Sequence, residues 1–337
     1  MNILITGAAG QIGTNLALKL LARGDKILGV DKRANAWTTS SHVPSSPNAF
    51  PMVAADMTIP PTGADNIPRF PDQVTAFQPH AIVHLAAWAK VHQLVKEPAK
   101  ALENVAMTFW ALELARLTKA PILFGSSREV YGDILRHVTE ESMADFVVAE
   151  SPYSASKIAG EAFFSSYAKC YGLKTLVFRF SNVYGRYDND LDRMERVIPL
   201  FVRKIWKGEP ITVFGRNKML DFTYVDDCVT GIAAGIDALA NVTTSPAPAA
   251  TAPKVAGQTI NLAYGQGQTL YDLVTLIELA TGKKANATYA PSQTGEVTRY
   301  VADISKAKSL LNYNPQTPLT KGIQLYIHWC KESGFLA

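Results

Sequence analysis

Seven residues near the N-terminus, Gly7-Ala8-Ala9-Gly10-Gln11-Ile12-Gly13, constrain this chain more than any other segment. They follow directly on a short β-rich run at 2–6 and open a helical pattern over 13–23. Three glycines at this spacing are a demand on the backbone. The first permits a tight turn, the second lets the main chain approach a pyrophosphate, and the third lets helix and strand pack closely. The start of the helix then offers unpaired N–H groups and partial positive charge to an anion.

The rest of the first half repeats the theme. β-rich runs at 26–30, 52–55, 81–85, 121–124 and 175–180 are separated by helical stretches such as 101–118. Short apolar strands separated by helices predict a parallel sheet covered on both faces. A chain of 337 residues exceeds what one ordinary domain needs, which predicts two coupled lobes. Beyond Val183 the pattern loosens into a strand at 211–214 and helices near 270–281 and 304–311, read as mostly a smaller C-terminal lobe. The expected division assigns 1–180 plus about 222–263 to the dinucleotide-binding domain, and about 181–221 plus 264–337 to the substrate lobe. Residues 35–71, rich in Pro, Ser and Thr, read as a surface connection, and 241–257 as a mobile loop.

Asp31 ends the second strand, where a carboxylate can hydrogen-bond both ribose hydroxyls and repel a 2′-phosphate. This favours NAD, although Lys32 and Arg33 stand beside it as possible partners of an NADP phosphate. Asp56 and Met57, at the end of the third strand, are placed near the adenine. Composition narrows the field further. Apolar residues make up 47% and charged residues 18%, as in soluble globular proteins. The net charge of +4 is spread along the chain, which argues against nucleic acid as a partner. No apolar run is long enough for a bilayer and no signal-peptide pattern is present, so no membrane partner is expected. Three scattered cysteines read as buried thiols of a cytoplasmic protein, and the six histidines show no metal-binding spacing.

Tyr153-Ser154-Ala155-Ser156-Lys157 places a phenol and an ammonium four residues apart. On a helix they share a face. Ser151 and Pro152 supply an N-cap and a first-turn proline for such a helix. A neighbouring ammonium is expected to lower the phenol's pKa from about 10 toward neutrality, making a general base suited to a sugar hydroxyl.

With these motifs in place the sequence resembles the extended short-chain dehydrogenase/reductases, and within them the NAD-dependent nucleotide-sugar epimerases and dehydratases. The resemblance rests on the glycine turn, Asp31, His84-Leu85-Ala86-Ala87, Ser126-Ser127-Arg128-Glu129-Val130-Tyr131-Gly132, Tyr153 to Lys157, Arg179-Phe180-Ser181-Asn182-Val183-Tyr184-Gly185 and Asp221-Phe222-Thr223-Tyr224-Val225-Asp226-Asp227. It implies a Rossmann-type doubly wound sheet with a smaller C-terminal substrate-binding lobe. It also implies Ser127 on the reacting sugar oxygen, Tyr153 as base, Lys157 as its partner and a nicotinamide-ribose ligand, and Leu85, Ala86 and Ala87 as a wall along NAD. Asn182 is placed near the substrate, and a homodimer paired through helices is expected. His84 reads as a packed strand-end residue.

Two departures bear on the reaction. In 4,6-dehydratases of this family an acid precedes the Glu of the motif; here Glu129 is present as a catalytic candidate but Arg128 holds the acid's place. An arginine is a poor proton donor, which disfavours dehydration. Arg128 is either a surface residue or a partner for an anionic group such as a C6 carboxylate. Many relatives carry an Arg before the Asp that begins Asp-Phe-Thr-Tyr; here it is Leu220, with Lys218, Arg216 and Arg299 as candidate replacements on the diphosphate. The leading expectation is C4 epimerisation of a UDP-hexose or UDP-uronic acid through a transient 4-keto sugar. Decarboxylation, dehydration and keto-sugar reduction are the alternatives within the family, and a non-catalytic NAD-binding regulator the alternative outside it.

Overall fold

Aliphatic residues buried on both faces build the centre of the molecule. Ile3, Leu4 and Ile5 of the first strand are wholly inaccessible. Ile3 and Ile5 join one apolar cluster and Leu4 another, as expected for side chains that alternate across a sheet covered by helices on either side. The structure, a computed structural model, describes residues 1–33, 50–61, 67–132, 149–188, 196–244, 255–292 and 297–336.

The elements run β1 (Asn2–Thr6), α1 (Gln11–Ala22), β2 (Lys26–Asp31), β3 (Met52–Ala54), α2 (Asp72–Ala76), β4 (Ala81–His84), α3 (Val91–Lys96), α4 (Ala99–Thr118), β5 (Ile122–Ser127), α5 (Pro152–Tyr171) and β6 (Thr175–Phe180). They continue as β7 (Asn182–Tyr184), α6 (Val197–Lys207), β8 (Ile211–Phe214), β9 (Met219–Tyr224), α7 (Val225–Thr244), β10 (Gln258–Leu262), β11 (Gly267–Thr269), α8 (Leu270–Thr281), β12 (Ala287–Ala290), α9 (Ser305–Leu311) and α10 (Leu319–Glu332). The large sheet has the order β10-β6-β5-β4-β1-β2-β3, with every pairing parallel. From β1 the chain winds outward through β2 and β3, then returns to β4 and winds the other way. The reversal leaves a crevice beyond the carboxyl ends of β1 and β4, the place where doubly wound sheets bind ligands. The fold class read from the sequence is therefore the one observed.

A separate cluster of Ile198, Phe201, Val213, Leu273, Ile323 and Tyr326 ties α6, α8 and α10 to β8. Small sheets of order β11-β9-β7 and β12-β8 accompany it. Packing does not follow the expected boundary at 264. Ala307 and Leu311 of α9 belong to the same core as Ile232 of α7 and Leu262 of β10, so this late helix completes the cover of the large sheet. The segment 241–257, read as a mobile loop, also differs: α7 extends to Thr244, and the Gly257 N–H donates to the Thr175 carbonyl at 2.6 Å. Residues 245–254 lie outside the described residues, as do 34–49 and 62–66 of the surface connection.

The cysteine reading needs one correction. Cys228 and Cys330 are buried, but Cys170, near the end of α5, is exposed. On α5, Phe164 and Tyr167 are in the core and Phe163 is exposed. No helix among the described residues is long and apolar enough to cross a membrane.

Candidate active site

The crevice at the switch point widens into a cavity of about 900 Å³, walled by the glycine turn, the ends of β2 to β5, the start of α5 and residues of β7, α6, β8 and β9. Gly7 has φ +72°, a conformation that suits glycine. A Cβ on Gly13 would stand 2.4 Å from the Gly7 carbonyl oxygen, so the third glycine is required by the close approach of helix and turn. No side chain caps α1, whose first N–H groups therefore remain available at the cavity wall. Gly10, Gln11 and Ile12 line the same wall. Asp31 closes it: one carboxylate oxygen accepts the Ala9 N–H at 3.1 Å and the other the Arg33 N–H at 3.1 Å. Asp56 pairs with Lys32 at 2.8 Å, and this lysine together with Thr58 holds its carboxyl down at about 2. With Met57, Leu85, Ala86 and Ala87, these residues line one continuous crevice. An uncapped helix end, a glycine cradle and a strand-end carboxylate fit a dinucleotide's pyrophosphate and ribose.

The second group of side chains comes from β5 and α5. Ser127 ends β5 and caps the 3₁₀ turn Arg128–Tyr131, its hydroxyl accepting the Glu129 N–H at 3.2 Å. Ser151 caps α5 by accepting the Ser154 N–H at 3.1 Å, with Pro152 in the first turn. Tyr153 and Ser127 line the same wall of the cavity, near enough for the serine hydroxyl to lower the phenol's pKa. Lys157, one turn on, donates from Nζ to the Gly125 carbonyl at 2.8 Å and stands 5.7 Å from the Tyr153 ring centre. Both residues line the cavity and are almost fully buried.

Without cofactor the phenol is not acidic. Burial pushes the Tyr153 hydroxyl up to about 12, with the nearby Ser127 hydroxyl opposing it, and pushes Lys157 down to about 8. Withdrawal from water outweighs the Ser127 hydroxyl and the charges of Arg196 and Arg128. In the bare pocket Tyr153 is a neutral phenol, and its activation needs further positive charge.

Arg128 is not a surface residue. Its side chain is 12% exposed, its Nη2 pairs with Glu129 Oε1 at 2.9 Å, and its guanidinium lies 5.7 Å from the Tyr300 ring centre. Both Arg128 and Glu129 line the cavity, as does Asn182, whose amide donates to the Asp221 carbonyl at 3.0 Å. Of the cations proposed for a diphosphate, Lys218 lines the cavity, whereas Arg216 and Arg299 are not among the residues that do. Arg216 is instead held by aromatic rings, 4.4 Å from the centre of Tyr271 and 5.2 Å from that of Tyr289.

Sequence reasoning passed over several residues. Arg196 lines the cavity and bridges the lobes, donating to Gln11 Oε1 at 2.5 Å and to Asp188 Oδ1 at 2.8 Å. Asn104 anchors the wall after β4 by accepting the Trp88 N–H at 2.7 Å and donating to the Ser156 hydroxyl at 3.1 Å. Beneath the site Glu161 and Arg179 form a buried pair at 2.7 Å. Among the described residues no cluster of His, Cys, Asp and Glu is arranged to hold a metal.

His84 is packed, as read. It is wholly buried, bonded to the hydroxyls of Thr6 at 2.8 Å and Thr108 at 3.2 Å, and stacked on Phe124. Burial, helped by the Lys157 charge, pushes it down to about 3 from 6.5. Between these values the unfolded chain binds a proton that the native protein does not, so stability is lost as pH falls through that window. Urea unfolding is expected to show a loss of about 2 kcal/mol from this residue between about pH 6.5 and pH 5. His84→Gln should remove that part of the slope; identical slopes in the two proteins would refute the account.

Comparison with known proteins gives concordant findings. The sequence profile of the NAD dependent epimerase/dehydratase family matches residues 3–247. The UDP-glucose 4-epimerase of Mycolicibacterium smegmatis is 30% identical, the match covering 96% of each chain. Among solved structures, the Thermus thermophilus UDP-glucose 4-epimerase in complex with NAD superimposes with a TM-score of 0.80 at 26% identity, covering 98% of this chain and 99% of that one. The Bacillus cereus UDP-glucuronic acid 4-epimerase in complex with UDP-glucuronic acid and NAD gives 0.81 at 25% identity, with the same coverage.

Proposed function

Because the chain belongs to the NAD dependent epimerase/dehydratase family, we propose that it is an NAD-dependent nucleotide-sugar 4-epimerase acting on a UDP-hexose or UDP-uronic acid. One observation carries the reading. Tyr153, beside Ser127 and one helical turn from Lys157, opens on the same cavity as the glycine turn and Asp31. A nucleotide held along Gly7, Gly10, Gln11, Ile12, Gly13 and Asp31 and a sugar held at Ser127 would share that space.

NAD, when bound, supplies a hydride acceptor and a positive charge. The residues of this chain do the rest. Ser127 holds the oxygen on the sugar's C4, and Tyr153 takes its proton as that carbon is oxidised. Lys157, still largely protonated below its pKa of about 8, adds to the field favouring the phenolate. The 4-keto sugar turns while Asn182, Lys218 and Arg196 retain the nucleotide end. When hydride is returned to the opposite face of C4, Tyr153 gives its proton back to the C4 oxygen.

The Rossmann part positions Tyr153 and NAD, and the smaller lobe grips the nucleotide. The apolar residues left exposed on α4 and α5, Leu102, Leu117 and Phe163, support a homodimer paired through these helices. The function is tested by incubating the purified protein with UDP-glucose or UDP-glucuronic acid and no added reductant. Proton NMR should show the C4 epimer of at least one donor, with NAD released on denaturation. Stoichiometric accumulation of reduced nicotinamide, or no product from either sugar, would overturn it.

A further inference from the structure

Two cations, Lys32 and Arg33, follow the carboxylate that ends β2, and all three residues line the cavity. Basic side chains at this place are natural partners of a 2′-phosphate, the group that separates NADP from NAD. In this chain each is drawn to a carboxylate. Lys32 Nζ lies 2.8 Å from Asp56 Oδ2. Arg33 Nε lies 3.6 Å from Asp31 Oδ1, the oxygen that also accepts the Arg33 N–H.

The lysine's link is prepared from the side of the acid. β2 and β3 are parallel neighbours with Asp31 level with Ala54, so Lys32 and Asp56 leave the sheet at the same end. Thr58 fixes the Asp56 carboxylate, donating to Oδ1 from its N–H at 3.0 Å and from its hydroxyl at 2.6 Å. Oδ2 is thereby turned to the lysine. Asp56 stays charged near neutral pH, its carboxyl held at about 2. Asp56, and Glu103 after it, raise the Lys32 ammonium above its ordinary value. The pair is partly open to solvent, with Lys32 60% exposed, so its weight in stability is small. Its effect is to place a charge.

With both links made, two cations and two anions balance at this end of the crevice. A ribose bearing two hydroxyls can donate to Asp31 and brings no charge. A 2′-phosphate brings about two negative charges to a wall whose adjoining cations are already matched. We propose that Asp56 is a cofactor-selecting residue that disfavours NADP by holding Lys32, so that the preference for NAD rests on Asp31 and Asp56 together. The inference rests on the NAD-dependent reading of the chain and is independent of which sugar turns over. Asp56→Asn should release Lys32 toward a 2′-phosphate, and NADP should gain on NAD only while that lysine is present.

The test reads binding alone. Purified protein is equilibrated with equal concentrations of NAD and NADP, desalted and denatured, and the released dinucleotides are separated by chromatography. The wild type should retain NAD over NADP by about a hundredfold. Asp56→Asn should narrow that ratio by about tenfold, and the same substitution made on Lys32→Met should narrow it by less than about threefold. An equal gain for NADP in both backgrounds would show the Asp56 charge acting by itself, and would overturn the proposal. No gain in either would overturn it too. So would a wild type that takes the two dinucleotides equally, a result that needs no variant to fold. These outcomes leave the dinucleotide site itself standing. Release of neither dinucleotide from the wild type would refute the site, and this inference with it.

Discussion

Tyr153→Phe is expected to slow epimerisation by about 10²–10⁴-fold, the range for losing a positioned general base, while NAD stays bound. The substitution removes one oxygen from a ring that is 8% exposed, so packing is preserved. The cofactor cradle lies elsewhere in the cavity wall, in the glycine turn, Asp31 and the ends of the first strands. What disappears is the hydroxyl that Ser127 influences, together with the proton it would exchange with the sugar. Because burial holds this hydroxyl at about 12 in the bare pocket, reaction depends on the positive charge gathered around it once the site is filled. Product NMR with UDP-glucose or UDP-glucuronic acid gives the rate, and the absorbance of NAD released from denatured protein gives the occupancy. A phenylalanine variant within tenfold of the wild type would remove Tyr153 from the reaction, and loss of NAD along with activity would show a structural defect instead.

Which features could be read in the sequence follows from how local their causes are. The glycine turn, Asp31 and the Tyr153–Lys157 pair each act within one element or one βαβ step, so spacing alone discloses them. Cations for the diphosphate could be counted but not aimed. Lys218, Leu220 and Phe222 all line the cavity, in keeping with the alternation of a strand, so the parity of Leu220 was a signal that pointed to Lys218. Arg216 precedes that run in a turn and is drawn onto two rings, Tyr271 and Tyr289, that come from α8 and β12. Helix α7 stood out poorly because glycine interrupts its helical pattern. Gly235 is needed there, since a Cβ would approach Phe178 Cζ to 2.5 Å. The Arg196 bridge joins residues 185 positions apart, and its sequence neighbourhood shows no sign of the partner. The phenol's pKa follows the same logic: charge proximity is visible in the five residues from Tyr153 to Lys157, but the depth of burial depends on the whole fold.

Arg179→Leu should be the most destabilising single change near the site, at about 3–5 kcal/mol, the cost of stranding a buried charge. Arg179 and Glu161 are 4% and 5% exposed and meet in a two-pronged contact, Nε to Oε1 at 3.0 Å and Nη2 to Oε2 at 2.7 Å. Ser126 donates to the same Oε1 at 2.5 Å, and the guanidinium lies 4.7 Å from the Tyr131 ring centre. Leucine would fill much of the space but leave Glu161 with a hydroxyl as its remaining partner. The pair ties β6 to α5 one turn beyond Lys157, and the Glu161 charge is what resists the fall of the Lys157 pKa. Damage to the pair therefore reaches Lys157 as well as the fold. The double change Arg179→Leu with Glu161→Leu separates the two contributions, because it strands no charge. If the loss arises from the orphaned carboxylate, the double variant should unfold at a higher urea concentration than Arg179→Leu alone. If the losses simply add, the pair contributes through its packing and the electrostatic account fails.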